Sequence, residues 1–210
     1  RDALNLGTSV VKEGEPLGLL YGRVATGIIK TQEQLEAAKE EFSLWTSFDP
    51  YLNLGDIAYE YENGSWKQDV IGHATPDFFG GYTNTINWNR FTLTALFTFS
   101  YGNDLIYQKD VSDSGMSSLA NRGTRVLNHY SEDNTSSNRP RRMWGTTYML
   151  SSLNVYDASY FKLKTLSLSY NLPESICRKV RIKSASVYGT ATNVFTITSY
   201  PGPDPEVSDD

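Results

Sequence analysis

The chain has 210 residues, 39% hydrophobic, 20% charged and 13% aromatic, which is enough apolar surface for one domain or a slice of a larger one and excludes disordered or collagen-like chains. A formal net charge of -5 gives the whole chain no electrostatic reason to bind nucleic acid or anionic lipid headgroups. Cys177 is the only cysteine, which rules out an internal disulfide and a cysteine-based metal cluster.

Arg1 to Gly7 lack the charged start, apolar run and small-residue cleavage site of a signal peptide, as expected of a cytoplasmic chain or of a mature or truncated one. Residues 1–76 read mainly as loop. Within them Thr31 is an N-cap and Gln34, three positions on, completes a capping box for a helix near 31–42, with Leu35, Ala38 and Phe42 on its apolar side. Gly55-Asp56 and Asn63-Gly64 bracket a Tyr-rich run that reads as a small hairpin.

The pattern changes after Pro76. Residues 77–87 and 90–101 alternate, and in the second run Phe91, Leu93, Ala95, Phe97, Phe99 and Tyr101 share one face. Thr92, Thr94, Thr98 and Ser100 share the other, with Leu96 the one apolar residue among them. Only Trp88 and Asn89 separate the two runs, so a tight antiparallel hairpin is expected. Residues 102–158 return to loop composition with a short helix around Ser118 to His129, a long connection for a compact soluble domain. Two further strands are predicted at 159–172 and 182–198, joined by a short link at Pro173. In the first of these the apolar phase switches between Leu163 and Leu166, the signature of a bulge. Residues 199–210 read as the start of another loop, with no final strand following.

No apolar run reaches the roughly 18 residues of a membrane-spanning helix, so a chain that meets hydrocarbon must do so as a barrel, whose paired strands satisfy every backbone group. Strands of about eleven residues with one oily face, short links at one end and long ones at the other, match an outer-membrane barrel. The fold class is therefore all-β: an incomplete antiparallel transmembrane β-barrel segment, with long extracellular loops containing short helices. By the same rule the links at 88–89 and 173–181 face the periplasm, and residues 1–76, 102–158 and 199 onward face outside. Four strands do not close a barrel. The alternative is a soluble all-β carbohydrate-binding or adhesion module, with Phe91 to Tyr101 in a sandwich core.

Several stretches, in order along the chain, carry a family resemblance. They are Gly14-Glu15-Pro16-Leu17-Gly18 with Tyr21-Gly22, then Val70-Ile71-Gly72 with Thr75-Pro76-Asp77-Phe78. Tyr156 to Lys164, Leu166 to Tyr170 with Leu172-Pro173, and Ala191 to Thr196 follow. The set resembles the C-terminal portion of SusC/RagA-type TonB-dependent outer-membrane receptors. That resemblance implies a large barrel in the bacterial outer membrane that imports glycans or peptides, is energised by TonB through an N-terminal region absent here, and is capped by a SusD-like surface lipoprotein. Glu62-Asn63-Gly64 keeps only a remnant of an acidic loop reminiscent of a calcium site, so no metal is carried over.

No cofactor and no catalytic motif is expected: Gly-x-Ser-x-Gly, Gly-x-x-x-x-Gly-Lys and His-Glu-x-x-His are all missing. His73 and His129 stand far apart without ligand-spaced neighbours. Arg139, Arg141 and Arg142 around Pro140 form a basic knot, read as a solvated loop or an internal salt-bridge cluster before a polyanion site. Arg178, Lys179, Arg181 and Lys183 flank the link expected at the periplasmic boundary. Asp204, Glu206, Asp209 and Asp210 are read as a flexible acidic loop. Tyr107, Trp144 and Tyr148 are the candidate substrate or lid contacts, as aromatic faces for sugar rings or a lid protein.

Overall fold

The computed structural model describes residues 4–5, 7–43, 52–116, 121–144 and 149–206. It divides into two compact units, one of residues 1–75 with 104–156 and one of residues 76–103 with 157–210.

The second unit is a four-stranded antiparallel sheet. Its strands are Phe78–Trp88, Phe91–Tyr101, Tyr160–Asn171 and Ser186–Thr198, and each pairs with its sequence neighbour. The first turn is Asn89-Arg90, one residue later than the sequence suggests, because Trp88 still pairs with Phe91. Asn89 takes φ of +53°, a left-handed conformation that Asn tolerates better than most side chains. The link after the third strand is more than a turn. Pro173 opens a helix at Glu174–Lys179 that buries Cys177, so the fourth strand begins at Ser186 and not at 182.

Register explains the phase switch in the third strand. Leu96 pairs with Thr165 and Phe97 with Leu163, leaving Lys164 as an extra residue. On the other side Leu163 pairs with Phe195 and Thr165 with Thr192, and Asn193 bends through φ of +51° to match. The bulge keeps Phe161 and Leu163 opposite Phe99 and Phe97, while Leu166, Leu168 and Tyr170 meet Ala95, Leu93 and Phe91. A single apolar face thus runs the length of the sheet.

That face ends in aromatic clusters. Phe91 lies 4.7 Å from Tyr170 and 6.3 Å from Trp88 at one end, and Phe78 lies 5.1 Å from Tyr101 at the other. Phe91–Tyr101 spans eleven residues. At about 3.3 Å per residue and a tilt of about 40°, such a strand rises roughly 25 Å, the height of a barrel's apolar band between its aromatic girdles. Trp88, Ile86, Val187 and Ile197 are 56–74% exposed, so no described element covers this side. Gly80 makes room for an aromatic neighbour: a Cβ there would stand 2.9 Å from the Phe99 ring.

The opposite face carries Thr92, Thr94, Thr98 and Ser100 against Ser169, Ser167, Lys162 and Tyr160. Thr92 donates to Asn87 at 2.8 Å, and Ser167 and Thr190 share a hydrogen bond at 3.0 Å. Phe79 and Tyr188 are exposed aromatic exceptions on this side.

The first unit corrects the expectation that residues 1–76 are mainly loop. Leu4–Asn5, Ser9–Val11, Leu19–Arg23 and Gln68–His73 form an antiparallel sheet, and Ala25–Ile28 pairs with Ile57–Tyr59. The sequence signal is weak because each strand is only two to six residues long. The Tyr-rich run divides: Tyr61–Glu62 turns through Asn63 and Gly64, both at positive φ, onto Ser65–Trp66. The helix is Gln32–Ser43, and its capping box is closed by the Gln34 amide N–H donating to Thr31 Oγ1 and the Thr31 amide N–H donating to Gln34 Oε1, each at 3.2 Å. The segment from Ser118 to Ala120 lies outside the described residues, and a 3-10 turn occupies Thr124–Asn128.

Ile28, Ile57 and Tyr130 form the unit's buried cluster, with Leu54, Tyr59 and Leu153 packed on it. Gly55, at φ of +88°, presses against the Tyr130 ring where no side chain fits. Burial raises the Tyr59 hydroxyl to about 12, and the hydroxyl donates to the Met149 carbonyl at 3.3 Å.

The two sheet faces generate a paired prediction. Ala95→Arg, on the oily side near mid-strand, is expected to destabilise the lipid-embedded protein by about 2–4 kcal/mol, while its neighbour Thr94→Arg costs under about 1 kcal/mol. Urea unfolding in lipid vesicles measures both, and equal costs would contradict the assignment of faces.

Candidate functional site

Two arrangements of charged side chains stand out, one in each unit. On the hydroxylated face of the long sheet Lys162 is fully buried. Its Nζ donates to Asp204 Oδ1 and Oδ2 at 2.9 and 2.8 Å and to Glu206 Oε2 at 2.8 Å. Lys164 Nζ donates to Glu206 Oε1 at 2.5 Å, and the Glu206 amide N–H donates to Asp204 Oδ1 at 3.0 Å. The segment after the fourth strand is thereby fastened back onto the sheet, helped by Thr198 Oγ1 donating to the Ser159 carbonyl at 2.8 Å.

Asp204 and Glu206 are therefore not members of a flexible acidic loop. A buried ammonium without a counter-charge is costly, and these carboxylates supply it. Asp209 and Asp210 lie outside the described residues. Burial pushes the Asp204 carboxyl up, but the bonds from Lys162 and the Glu206 amide outweigh it and leave the group below its ordinary value. Lys162 and Lys164 lower Glu206 in the same way.

In the first unit Asp110 is the node. It is 6% exposed. Its Oδ1 accepts from Arg139 Nη2 at 2.6 Å and faces Arg125 Nη1 at 3.6 Å, while Oδ2 accepts from the Tyr156 hydroxyl at 2.6 Å. Burial, then the Asp110 contact, raises the Tyr156 hydroxyl above its ordinary value. These groups border a cavity of about 460 Å³ whose wall also includes Ile57, Asn128, Asn138 and Leu153.

Arg141 belongs to a second anchor. Its guanidinium grips the buried Asp56 through two bonds, at 2.6 and 3.1 Å. The basic knot is thus an internal salt-bridge cluster, since Arg139 and Arg141 are each paired with a carboxylate of the same unit. The sequence marks the arginines but not their partners, which lie 29 and 85 residues away.

Of the three aromatic candidates, Tyr107 is buried. Its ring meets Tyr156 edge-on at 6.4 Å, and the Arg125 guanidinium lies over both rings at 5.9 and 5.5 Å. It offers no open stacking face; it supports Arg125 instead. Trp144 is on the two-residue strand Met143–Trp144, paired with Gly115–Met116, and Tyr148 lies outside the described residues. His73 ends a strand, and His129 Nδ1 lies 3.0 Å from the Val126 carbonyl. Among the described residues no group of three or more His, Cys, Asp or Glu side chains is spaced for a metal. Arg178 pairs with Glu174 at 3.0 Å in the solvated link helix, both side chains 80% exposed.

No family model matches the chain. It is 32% identical over 202 residues to TonB-dependent receptor P3 of Formosa agariphila, covering 96% of this chain and 20% of that protein. It is 24% identical over 250 residues to TonB-dependent receptor P39 of the same organism, covering 98% and 24%. Among solved structures it resembles the RagAB peptide importer in its open-open state, with TM-score 0.68 and 24% identity over 97% of this chain and 21% of that one. The closed-closed state gives the same TM-score at 25% identity, covering 97% and 22%. The chain spans about a fifth of the length of the curated relatives it matches.

The fastening of residues 199–206 has a pH signature. Because both carboxylates are held below their ordinary values, their stabilisation is complete above the unfolded values near pH 4 and is lost as pH falls through the lower folded ones. A nitroxide placed by Pro203→Cys is expected to gain mobility below about pH 4 and, in a Glu206→Gln background, at higher pH. Removing that single partner should cost about 1–3 kcal/mol, less than a fully orphaned buried charge because Asp204 remains. A label equally immobile at pH 3 and pH 7 would show that the ion pairs do not hold the segment.

Proposed function

Since the chain is a segment of a SusC/RagA-type TonB-dependent receptor of the bacterial outer membrane, we propose that it supplies four strands of the barrel wall and the surface structure that receives an imported glycan or peptide. The observation that carries this reading is the two-sided sheet, oily and bounded by aromatic clusters on one face, hydroxylated on the other. Hydrocarbon accepts the first face and a water-filled lumen the second.

In this reading the Asn89-Arg90 turn and the helix Glu174–Lys179 lie at the periplasmic rim, and the first unit lies outside, where a SusD-like lipoprotein would close over it. TonB acts through a part of the receptor that precedes these strands. The chain contributes binding and containment to gated import and no catalytic centre. Trp144 and Tyr148 are proposed as substrate or lid contacts, with Tyr107 contributing only through its support of Arg125.

A soluble sandwich would need a second sheet over the exposed apolar face, and no described element covers it. The test is uptake by cells carrying or lacking the full-length receptor, with labelled oligosaccharide and oligopeptide pools supplied separately. Loss of uptake of one pool on deletion of either the receptor or tonB is expected. Uptake of both pools unaffected by either deletion would refute the importer reading.

A further inference from the structure

The cavity beside Asp110 offers a ligand mostly donors. Asp110 is its one acidic lining residue among the described residues, and both its oxygens are engaged, by Arg139 and by Tyr156. Among the described residues, two guanidiniums against one carboxylate leave the lining one positive charge in excess. Arg125 Nη1 is buried and makes no hydrogen bond among the described residues, since 3.6 Å to Asp110 is an ionic contact only.

The two asparagines add to this bias. Lys30 Nζ has only hydrogens to give, so its 2.9 Å contact fixes the Asn138 oxygen toward itself. Asn134 Nδ2, turned by the His129 carbonyl, takes the Asn128 oxygen at 2.8 Å. Both asparagine Nδ2 groups are left without a hydrogen bond among the described residues. An unmet buried donor on a cation costs free energy until an acceptor arrives, and a carboxylate meets an arginine with two oxygens at once.

We propose that this cavity binds a carboxylate of the imported substrate, with Arg125 as its counter-charge and the Asn128 and Asn138 amides as additional donors. The proposal rests on the importer reading and narrows its substrate to a carboxylate bearer, either the free C-terminus of a peptide or a uronic acid of a glycan. Arg125 is held for the task by the Tyr107 and Tyr156 rings, over which its guanidinium lies, while its Nη1 is left for a ligand.

Binding to the full-length receptor in detergent tests this by calorimetry, with hexaglycine against hexaglycine amide in one arm and trigalacturonate against its methyl ester in the other. The wild type is expected to prefer the free acid over its neutral counterpart in one arm, which identifies the source. Arg125→Gln should weaken the acid about 10- to 100-fold and leave the neutral counterpart unchanged, with Arg125→Lys recovering part of the loss. No preference for the acid in either arm, or an Arg125→Gln receptor that binds acid as the wild type does or loses acid and neutral ligand equally, overturns the proposal. The importer reading fails separately, when wild-type cells show no TonB-dependent uptake.

Discussion

Hydrocarbon offers no partner to a peptide group, so each N–H and C=O of a strand crossing it has to be met by the neighbouring strand. The long sheet is organised around that demand. Its strands pair over nearly their whole length, and even the irregularity at Lys164 is absorbed by a matching one at Asn193. Side chains then follow from the pleat, with rings and aliphatics on one side and hydroxyls, a lysine and its carboxylates on the other. Four strands leave two edges with unpaired backbone groups, and in a barrel other strands of the receptor meet them.

The first unit works under a different rule. Its strands are short and its connections long, so little apolar area is available per element, and two buried carboxylates do much of the organising. Asp56 ties the 54–57 turn to Arg141, and Asp110 draws in Arg139 and Tyr156. Such ion pairs are poor sources of net stability but strict about geometry, because breaking one strands a charge away from water. Precision of placement is what the ligand-receiving role proposed for this unit requires.

The sequence made the strands of the sheet legible because alternation is a local signal, and it located the bulge because a phase slip between Leu163 and Leu166 appears in the same window. The helix cap at Thr31 and Gln34 was equally local. What escaped depends on partners far along the chain. The carboxylates at 204 and 206 read as a loose acidic tail until Lys162, more than forty residues earlier, is found beneath them. The Asp110 node was invisible for the same reason, although Arg139, one of its partners, stood out. Tyr107 looked like a free aromatic in a polar loop; nothing local foretold that Arg125 and Tyr156 would cover it.

The extra residue at Lys164 has one more consequence. It acts as a phase corrector: strand length on either side of it is fixed, a constraint separate from the hold of its ammonium on Glu206. Removing one residue there would turn Leu166, Leu168 and Tyr170 into the aqueous interior and present Ser167 and Ser169 to lipid, inverting half a strand at a stroke. Across relatives, this position should therefore resist insertion and deletion.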